Sequence, residues 1–413
     1  MFTQDIGKQR PIRCFVLAVF TFCCLIGRAY AESSSVYIIQ KPGSGIKLAS
    51  SDGQYQFELG GRLMVDFANY QQDKVELGDG TELRRARIEV EGAAFDWAYE
   101  FGFDLADEDG AAEVKDAYLS YQGWQQMALH IGQFKQAFSL EELTSSKYIT
   151  FMERALPNSF APGRSLGIGL QTYGQQFMVA AGVFGAAYDE DEKNEGDEST
   201  STTARIAYAP WHDKRSAFHL GISSNYFNPS NSPGSTASVD FKSRPESHVT
   251  DVKYLDTGDI SNVDHVVKYG LEFAWVNGPF SIQGEHISTS VERNSGQTAL
   301  QFQGWYVFAS WFVTGESRAY SMKKGAFGRT KPTSPGGAWE LAYRVSSLDL
   351  NDQDIKGGDA TQHTFGLNWY KNAHTRFMLN LIKVENDKDA NANGDVTGND
   401  SPAIMQFRAQ VDF

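Results

Sequence analysis

Residues 404–413 read "IMQFRAQVDF", and apolar and polar side chains alternate along them. One face carries apolar side chains and the other mainly polar ones: Met405, Phe407, Ala409, Val411 and Phe413 against Ile404, Gln406, Arg408, Gln410 and Asp412. A period of two is typical of a β-strand, because successive side chains point to opposite faces of a sheet. A half-buried strand of a soluble sheet would show the same pattern, so the rest of the chain has to decide between the two.

The same alternation recurs in several segments of strand length, among them 55–67, 84–91, 97–105, 264–275 and 338–346. Their polar faces carry charges in strand after strand, which a buried core would not tolerate. A soluble sheet with one solvated face would tolerate them, but it would not need so aromatic and aliphatic an opposite face. A barrel with lipid outside and water inside accounts for both faces.

The spacing of these segments predicts about sixteen strands. They start near residues 55, 83, 96, 113, 126, 166, 176, 202, 215, 264, 279, 299, 338, 361, 374 and 403. Short turns alternate with long polar loops at 136–165, 188–201, 227–263, 349–360 and 387–402. The predicted fold is therefore all-β: a transmembrane antiparallel β-barrel with long extracellular loops. The even number of strands places both chain termini on the periplasmic side.

One connection breaks this alternation, since 314–337 is long although it falls on the short-turn side. We expect it to be a solvated loop. The alternative is that it folds inward and supplies a basic periplasmic exit through Lys323, Lys324, Arg329 and Lys331.

The first residues predict export. Lys8, Arg10 and Arg13 precede an apolar run at 14–27, and "AYA" ends at Ala31, which is the plan of a secretory signal peptide. The run is shorter than the roughly 20 residues that a membrane-spanning helix needs. We therefore divide the chain into a signal peptide (1–31), a short periplasmic segment (32–54) and a barrel (55–413). The three cysteines all lie in the signal peptide, so no disulfide is expected in the exported chain.

Composition and motifs favour neither nucleic-acid binding nor catalysis. The formal net charge of −14 gives no support to a nucleic-acid partner. The chain contains no glycine-rich phosphate loop, HExxH motif or paired-cysteine site, so we expect no catalytic residue, no metal and no cofactor. A secreted sugar-binding sheet protein would explain the aromatic residues but not their outward faces.

Several stretches resemble the phosphate-selective porin family, the O and P type porins. These stretches are "FELGGRLMVDF" (57–67), "LRRARIEVEG" (83–92), "VKDAYLSY" (114–121), the block 131–170 that contains "TSSKYITFMER", "KSRPES" (242–247), "LEFAWVNGPFSIQGE" (271–285) and "WFVTGESRAYS" (311–321). The resemblance implies an outer-membrane porin of a Gram-negative bacterium. It also implies a homotrimer of sixteen-stranded barrels through which small anions, above all phosphate or polyphosphate, diffuse. The alternative is a general or weakly selective porin for other small solutes.

The loop 136–165 is the predicted constriction, because about thirty residues are too many for a plain loop of a compact domain. Its donors are Ser145, Ser146, Lys147, Arg154 and Arg164. By resemblance, the serines of "TSSK" and the arginine of "MER" match anion-binding positions of the family. The alternative for Arg154 is a structural ion pair that holds the loop in place.

Further basic residues are expected along the pore. Arg62, Arg85 and Arg87 lie on inward faces, either as an arginine ladder or in solvated pairs with Glu89 and Glu91, and the fifth loop adds Lys242 and Arg244. One departure from the family is plain: its phosphate specialists have lysines on the approach where this chain has Glu141 and Glu142.

The remaining expectations concern partners. Phe413 resembles the C-terminal signal that the barrel assembly machinery recognises in outer-membrane proteins. Outer-membrane lipid and lipopolysaccharide are the expected surroundings. The acidic run 189–198 could meet lipopolysaccharide through divalent cations, although a solvated charge run is favoured.

Overall fold

The computed structural model describes residues 35–39, 45–106, 112–187, 198–230, 236–392, 395–396 and 398–413. In this part of the chain, sixteen long strands pair antiparallel with their neighbours in sequence, and the last pairs with the first. The sheet therefore closes into a barrel without free edges. The prediction of a sixteen-stranded antiparallel β-barrel is confirmed. The predicted signal peptide and the acidic run lie outside the described residues, apart from Glu198.

The strands have the following bounds: β1 Tyr55–Gln71, β2 Gly80–Ala94, β3 Trp97–Asp104, β4 Glu113–Tyr121, β5 Met127–Lys135, β6 Arg164–Tyr173, β7 Phe177–Phe184, β8 Thr200–His212, β9 Ser216–Asn228, β10 Val263–Asn277, β11 Phe280–Arg293, β12 Leu300–Phe312, β13 Ala338–Asp352, β14 Ile355–Tyr370, β15 Thr375–Asn386 and β16 Ala403–Asp412. Fifteen of the sixteen starts lie within three residues of the positions that the alternation predicts. No helix among the described residues is long and apolar enough to cross a membrane.

Alternation along each strand separates an apolar outer face from an inner face that the loops cover. On β12, Trp305, Val307 and Trp311 are exposed on the outside, while Tyr306 and Phe308 between them are buried inside. The outer face suits hydrocarbon, and the inner face meets water and the inward loops.

The barrel closes between β16 and β1. The backbones of Phe413 and Gly61 exchange two hydrogen bonds there, of 3.1 and 2.8 Å. Residues 56–59 of β1, which precede the part paired with β16, pair instead with the short strand Ile46–Ser50, and this strand pairs in turn with Val36–Ile39. These two short strands extend the sheet beside the start of β1.

Two connections differ from expectation. The prediction of a long loop at 349–360 is wrong. Strands β13 and β14 extend through most of this segment and are joined by the two-residue turn 353–354. In these strand ends the apolar side chain of Leu350 is buried inside and the outward positions are polar, so no apolar outer face marks them. The longest connections are instead 136–163 and 229–262, with short elements of their own: helix α1 Leu140–Leu143, the 3-10 turn Leu156–Phe160, and the strand pairs Ser238–Val239 with Ile260–Ser261 and Lys242–Ser243 with Leu255–Asp256.

The connection 313–337 folds into the barrel, so the expectation of a solvated loop at 314–337 is wrong. It contains the strand pair Tyr320–Ser321 with Ala326–Phe327, and Met322 packs among inward-facing residues of β7 and β8. Two of these residues, Ala180 and Ala207, are small and leave the loop room inside the lumen. A last pair of short strands, Asn391–Ala392 with Asp395–Val396, lies between β15 and β16.

The inward loops fill one side of the lumen. Phe138 and Phe160 from 136–163 pack with Phe241 from 229–262 against inward residues of β10–β14. The open space is therefore left along β1–β7, where the candidate site lies.

Candidate functional site

The amino end of α1 is held by the barrel wall. The carboxylate of Glu285 on β11 accepts hydrogen bonds from the backbone N–H groups of Leu140 (3.0 Å) and Glu141 (2.7 Å). Ser139 caps the helix, since its hydroxyl accepts the N–H of Glu142 at 3.1 Å. These are the N–H groups that a helix start leaves without intrahelical partners.

Arginines of the nearby strands β13 and β15 hold the rest of the loop through its carbonyl oxygens. Arg376 donates to Ile149 (2.7 Å) and Thr150 (2.9 Å), and Arg344 donates to Glu153 (3.0 Å). The loop leaves β5, is attached to β11, β13 and β15, and returns to β6, so it crosses the lumen in a fixed position. A constriction held in this way presents its side chains at constant places.

A cavity of about 590 Å³ lies between this loop and the wall. Ten cationic and six anionic side chains line it: Arg62, Arg85, Arg87, Lys115, Lys135, Lys147, Arg154, Arg164, Lys324 and Arg329 against Glu58, Glu89, Glu91, Glu100, Asp116 and Glu142. The local charge is positive although the whole chain is acidic. A narrow polar passage with this lining favours anions.

The serines and the lysine of "TSSK" meet the wall at one point. Arg62 donates to the hydroxyl of Ser146 at 2.7 Å and to that of Ser145 at 3.4 Å. Glu89 pairs with both Arg62 and Lys147, in the latter case at 2.7 Å. The structure thus brings these predicted residues together in one cluster, which is hydrogen-bonded within itself.

Arg154 and Arg164 line the cavity and also hold the loop. Arg154 donates to the carbonyl oxygens of Glu141 (3.0 Å), Glu142 (3.1 Å) and Thr144 (3.0 Å). Arg164 forms two hydrogen bonds with Asp116 on β4, of 2.9 and 2.8 Å. Arg154 also pairs with the carboxylate of Glu142 at 3.3 Å, and this set of contacts is of the kind that the structural alternative predicts.

Arg85 lies beside a β-bulge that adds a second arginine, Arg84, to the inward face. The pairing of β1 with β2 shifts between Met64 and Val65, so that Arg84 and Arg85 both turn inward. Arg84 forms two hydrogen bonds with Glu153, of 2.8 and 2.9 Å. For Arg85 the nearest carboxylate is that of Asp104 at 3.9 Å, and its buried Nε has no hydrogen-bond partner.

Lys242 and Arg244 are not among the residues that line the cavity. Lys242 pairs with Asp240 at 2.7 Å, and Arg244 pairs with Asp251 at 2.8 Å. The fifth loop reaches the inner wall instead through Glu246, whose carboxylate accepts hydrogen bonds from Arg344 and Thr364.

Several cavity residues were not predicted as part of the constriction. Lys135 ends β5 and contacts Glu142 of α1, which the even spacing of the strand does not reveal. Arg329 of the inward loop 313–337 donates to the hydroxyl of Tyr148 at 3.2 Å, and Lys324 lines the same cavity. The sequence signal for the last two was the run of cations at 323–331 on a connection too long for its side of the barrel.

A closed antiparallel barrel whose inward loops narrow a basic lumen defines a porin of the Gram-negative outer membrane. The chain belongs to the family "Phosphate-selective porin O and P", whose sequence profile matches residues 57–413. It is 29% identical to Porin O of Pseudomonas aeruginosa over 412 residues, which cover 90% of this chain and 92% of that relative. The family resemblance and the outer-membrane location are thereby confirmed.

Two solved structures share the fold of the chain. The anion-selective porin from Comamonas acidovorans has a TM-score of 0.54 and 15% identity, over 87% of this chain and 100% of that chain. The trimer form of OmpT, an outer-membrane protein of Vibrio cholerae, has a TM-score of 0.55 and 12% identity, over 87% of this chain and 99% of that chain. At these identities the likeness concerns the fold alone.

Proposed function

We propose that this porin passes small anions by diffusion, with phosphate and polyphosphate as its principal solutes, and that it catalyses no reaction. The name of its family supports phosphate as the solute, and the excess of cations in the cavity supports anion passage. The observation that carries the proposal is that Arg85 lines the cavity without a hydrogen-bond acceptor for its buried Nε.

Arg85 offers donors for which the described part of the chain supplies no acceptor. The other arginines that line the cavity all donate hydrogen bonds to protein acceptors. A guanidinium left without an acceptor in a confined space is costly. An oxyanion in the cavity would supply the missing acceptor, and the planar guanidinium fork suits two oxygens of such an anion.

The pairing of the surrounding cations explains how an anion could leave again. Conduction requires a site that attracts the ion but does not retain it. Glu89, Asp104 and Asp116 already accept from Arg62, Arg87 and Arg164. A passing anion must compete with these carboxylates, so each contact is weak.

The same carboxylates favour a second candidate, a weakly selective porin for small solutes. They compensate much of the positive charge at the constriction. Measured selectivity decides between the two candidates.

The short strands of one barrel sector support a homotrimer. The strands β3–β7 have 8, 9, 9, 10 and 8 residues. At about 3.3 Å per residue and a tilt near 40°, eight residues rise only about 20 Å, less than the apolar band of about 25 Å. We infer that neighbouring copies, rather than lipid, cover this sector, as the trimer form of OmpT makes plausible for the fold. Lipopolysaccharide and the barrel assembly machinery, the latter acting through Phe413, complete the proposed partners.

The test is the reversal potential of the purified porin in a planar bilayer under a potassium chloride gradient, with and without inorganic phosphate. We expect the sign that indicates anion preference, and a chloride current that phosphate reduces. A reversal potential at zero or of the opposite sign would contradict the anion channel. Anion preference without any effect of phosphate would favour the weakly selective porin.

A further inference from the structure

The carboxylate of Glu142 has an unusual set of donors. Lys135 Nζ lies 2.5 Å from its Oε1, Asn158 Nδ2 lies 3.1 Å from its Oε2, and Arg154 Nε lies 3.3 Å from its Oε2. The donors come from three places: the end of β5, the middle of the loop and the 3-10 turn. Glu142, Lys135 and Arg154 all line the cavity.

This donor set is one that would bind a free oxyanion. Lysine supplies a point charge, arginine supplies a charged planar donor, and the amide adds a neutral N–H. Two cations surround one carboxylate, so a single negative charge does not compensate them. A phosphate-like anion, with more charge and more oxygens, would satisfy them better.

We propose that Glu142 is a built-in substitute for the solute: its carboxylate occupies an oxyanion site formed by Lys135, Arg154 and Asn158, and so lowers the affinity of the constriction for free oxyanions. The inference rests on the proposed function, because free anions have to reach the cavity. A group attached to the chain competes at a high effective concentration, of the order of millimolar or more. The site therefore exchanges anions where it would otherwise retain them, at the cost of weaker selection.

The donors do not depend on Glu142 for their positions. Arg154 also donates to three carbonyl oxygens of the α1 region. Lys135 also donates to the backbone carbonyl of Glu142, which survives any substitution at that residue. The loop as a whole is held by Glu285 and by the wall arginines. Removal of the carboxylate should therefore leave an open site and not a collapsed loop.

The experiment titrates single-channel chloride current with inorganic phosphate for wild type, Glu142→Gln and Glu91→Gln. Glu91 lines the same cavity, and among the described residues Lys135 and Arg154 form their ion pairs with Glu142 and not with Glu91, so its substitution removes the same charge without opening the site. We expect Glu142→Gln to lower the half-blocking phosphate concentration about tenfold or more, the size of one charge-assisted hydrogen bond. Glu91→Gln should shift it by less than about threefold, since it changes only a screened field.

A double variant distinguishes a specific anion-binding site from a general change in the electrostatic field of the cavity. Lys135→Gln combined with Glu142→Gln removes a donor of the opened site, and the half-blocking concentration should return most of the way to wild type. Heat-modifiable migration on gels verifies that each variant forms a barrel. Equal shifts for Glu142→Gln and Glu91→Gln, or an unchanged Glu142→Gln in a folded barrel, would overturn the inference. If wild type lacked anion preference, the proposed function would fail instead, which the reversal potential shows separately.

Discussion

Arg408 on the last strand and Asp66 on the first form two parallel hydrogen bonds across the barrel seam, of 2.7 and 2.6 Å. The same guanidinium donates to the carbonyl oxygen of Met152 at 2.5 Å and to the carboxylate of Glu153 at 2.6 Å, both in the constriction loop. Closure of the barrel and placement of the constriction thus depend on one buried side chain. Both partners of the seam pair are almost fully buried.

Arg408→Met should destabilise the barrel and release this side of the loop. It leaves the carboxylate of Asp66 buried without its partner, which typically costs about 3–5 kcal/mol. We expect a lower yield of heat-modifiable barrel and a larger, noisier single-channel conductance. Arg408→Met combined with Asp66→Leu removes both charges and should recover part of the yield. Wild-type yield and conductance in the single variant would show that the seam pair is dispensable.

Arg85→Ala should weaken phosphate block while barrel yield stays near wild type. A charged hydrogen bond contributes about 1.5–3 kcal/mol, which corresponds to roughly a tenfold or greater rise in half-blocking concentration. Lys214→Ala, in the turn 213–215, is the control for loss of a positive charge elsewhere. Chloride current titrated with phosphate measures both variants. If Arg85→Ala and Lys214→Ala are blocked alike, Arg85 is no ligand.

Arg164→Ala should reduce anion preference and widen the pore. The substitution removes the two hydrogen bonds that tie the loop's return to β4, and it leaves the negative charge of Asp116 in the cavity. Reversal potential and conductance should both change. Adding Asp116→Asn should restore the reversal potential but not the conductance, because it removes the charge without remaking the tie. A double variant that matched Arg164→Ala in reversal potential would rule out the charge explanation.

The competition by Glu142 should persist in mild acid. Burial raises the pKa of Glu142, but Arg154 and Lys135 outweigh it and lower this pKa to about 2. A carboxyl with a depressed pKa keeps its ion pairs above its ordinary value and loses them only as the pH falls towards the depressed one. Block by sulfate should therefore differ between wild type and Glu142→Gln at pH 7 and equally at pH 4. Convergence of the two proteins between pH 5 and pH 4 would show that Glu142 protonates in the ordinary range.

Phe413→Ala should impair assembly more than a neighbouring outward substitution. The backbone pairing with Gly61 survives the change, whereas the ring beside Gly61 is lost. Val411→Ala, also outward-facing on β16, is the matched control. The measurement is the ratio of heat-modifiable barrel to unfolded chain in the periplasm. Equal ratios in the two variants would show that the ring of Phe413 contributes only packing and has no specific role in assembly.

The strands could be predicted from sequence because lipid and water impose opposite demands on alternate residues. The prediction failed at 349–360, where β13 and β14 carry polar residues on the outer face and the apolar side chain of Leu350 is buried inside. It also failed at 314–337, since the cue for the inward fold is a patch of small residues, such as Ala180 and Ala207, on distant strands.

The site was predictable only as a group of residues. The loop and its basic side chains follow from length and family resemblance, but their pairing depends on positions that alternation does not supply. The bulge that turns both Arg84 and Arg85 inward is one such position, and the approach of Lys135 to Glu142 is another. Arg154 shows the limit most clearly, because three of its partners are backbone carbonyls, which no residue pattern reveals.

The two inward loops enter from opposite mouths and meet where Arg329 lies over the ring of Tyr148, 5.1 Å from its centre, and donates to its hydroxyl. The constriction loop is therefore in direct contact with a loop that enters from the periplasmic side. A periplasmic protein, antibody fragment or protease that acted only on 313–337 would alter current through a constriction it never touches. The current through this porin could thus be reduced by a molecule in the periplasm that the surrounding medium does not reach.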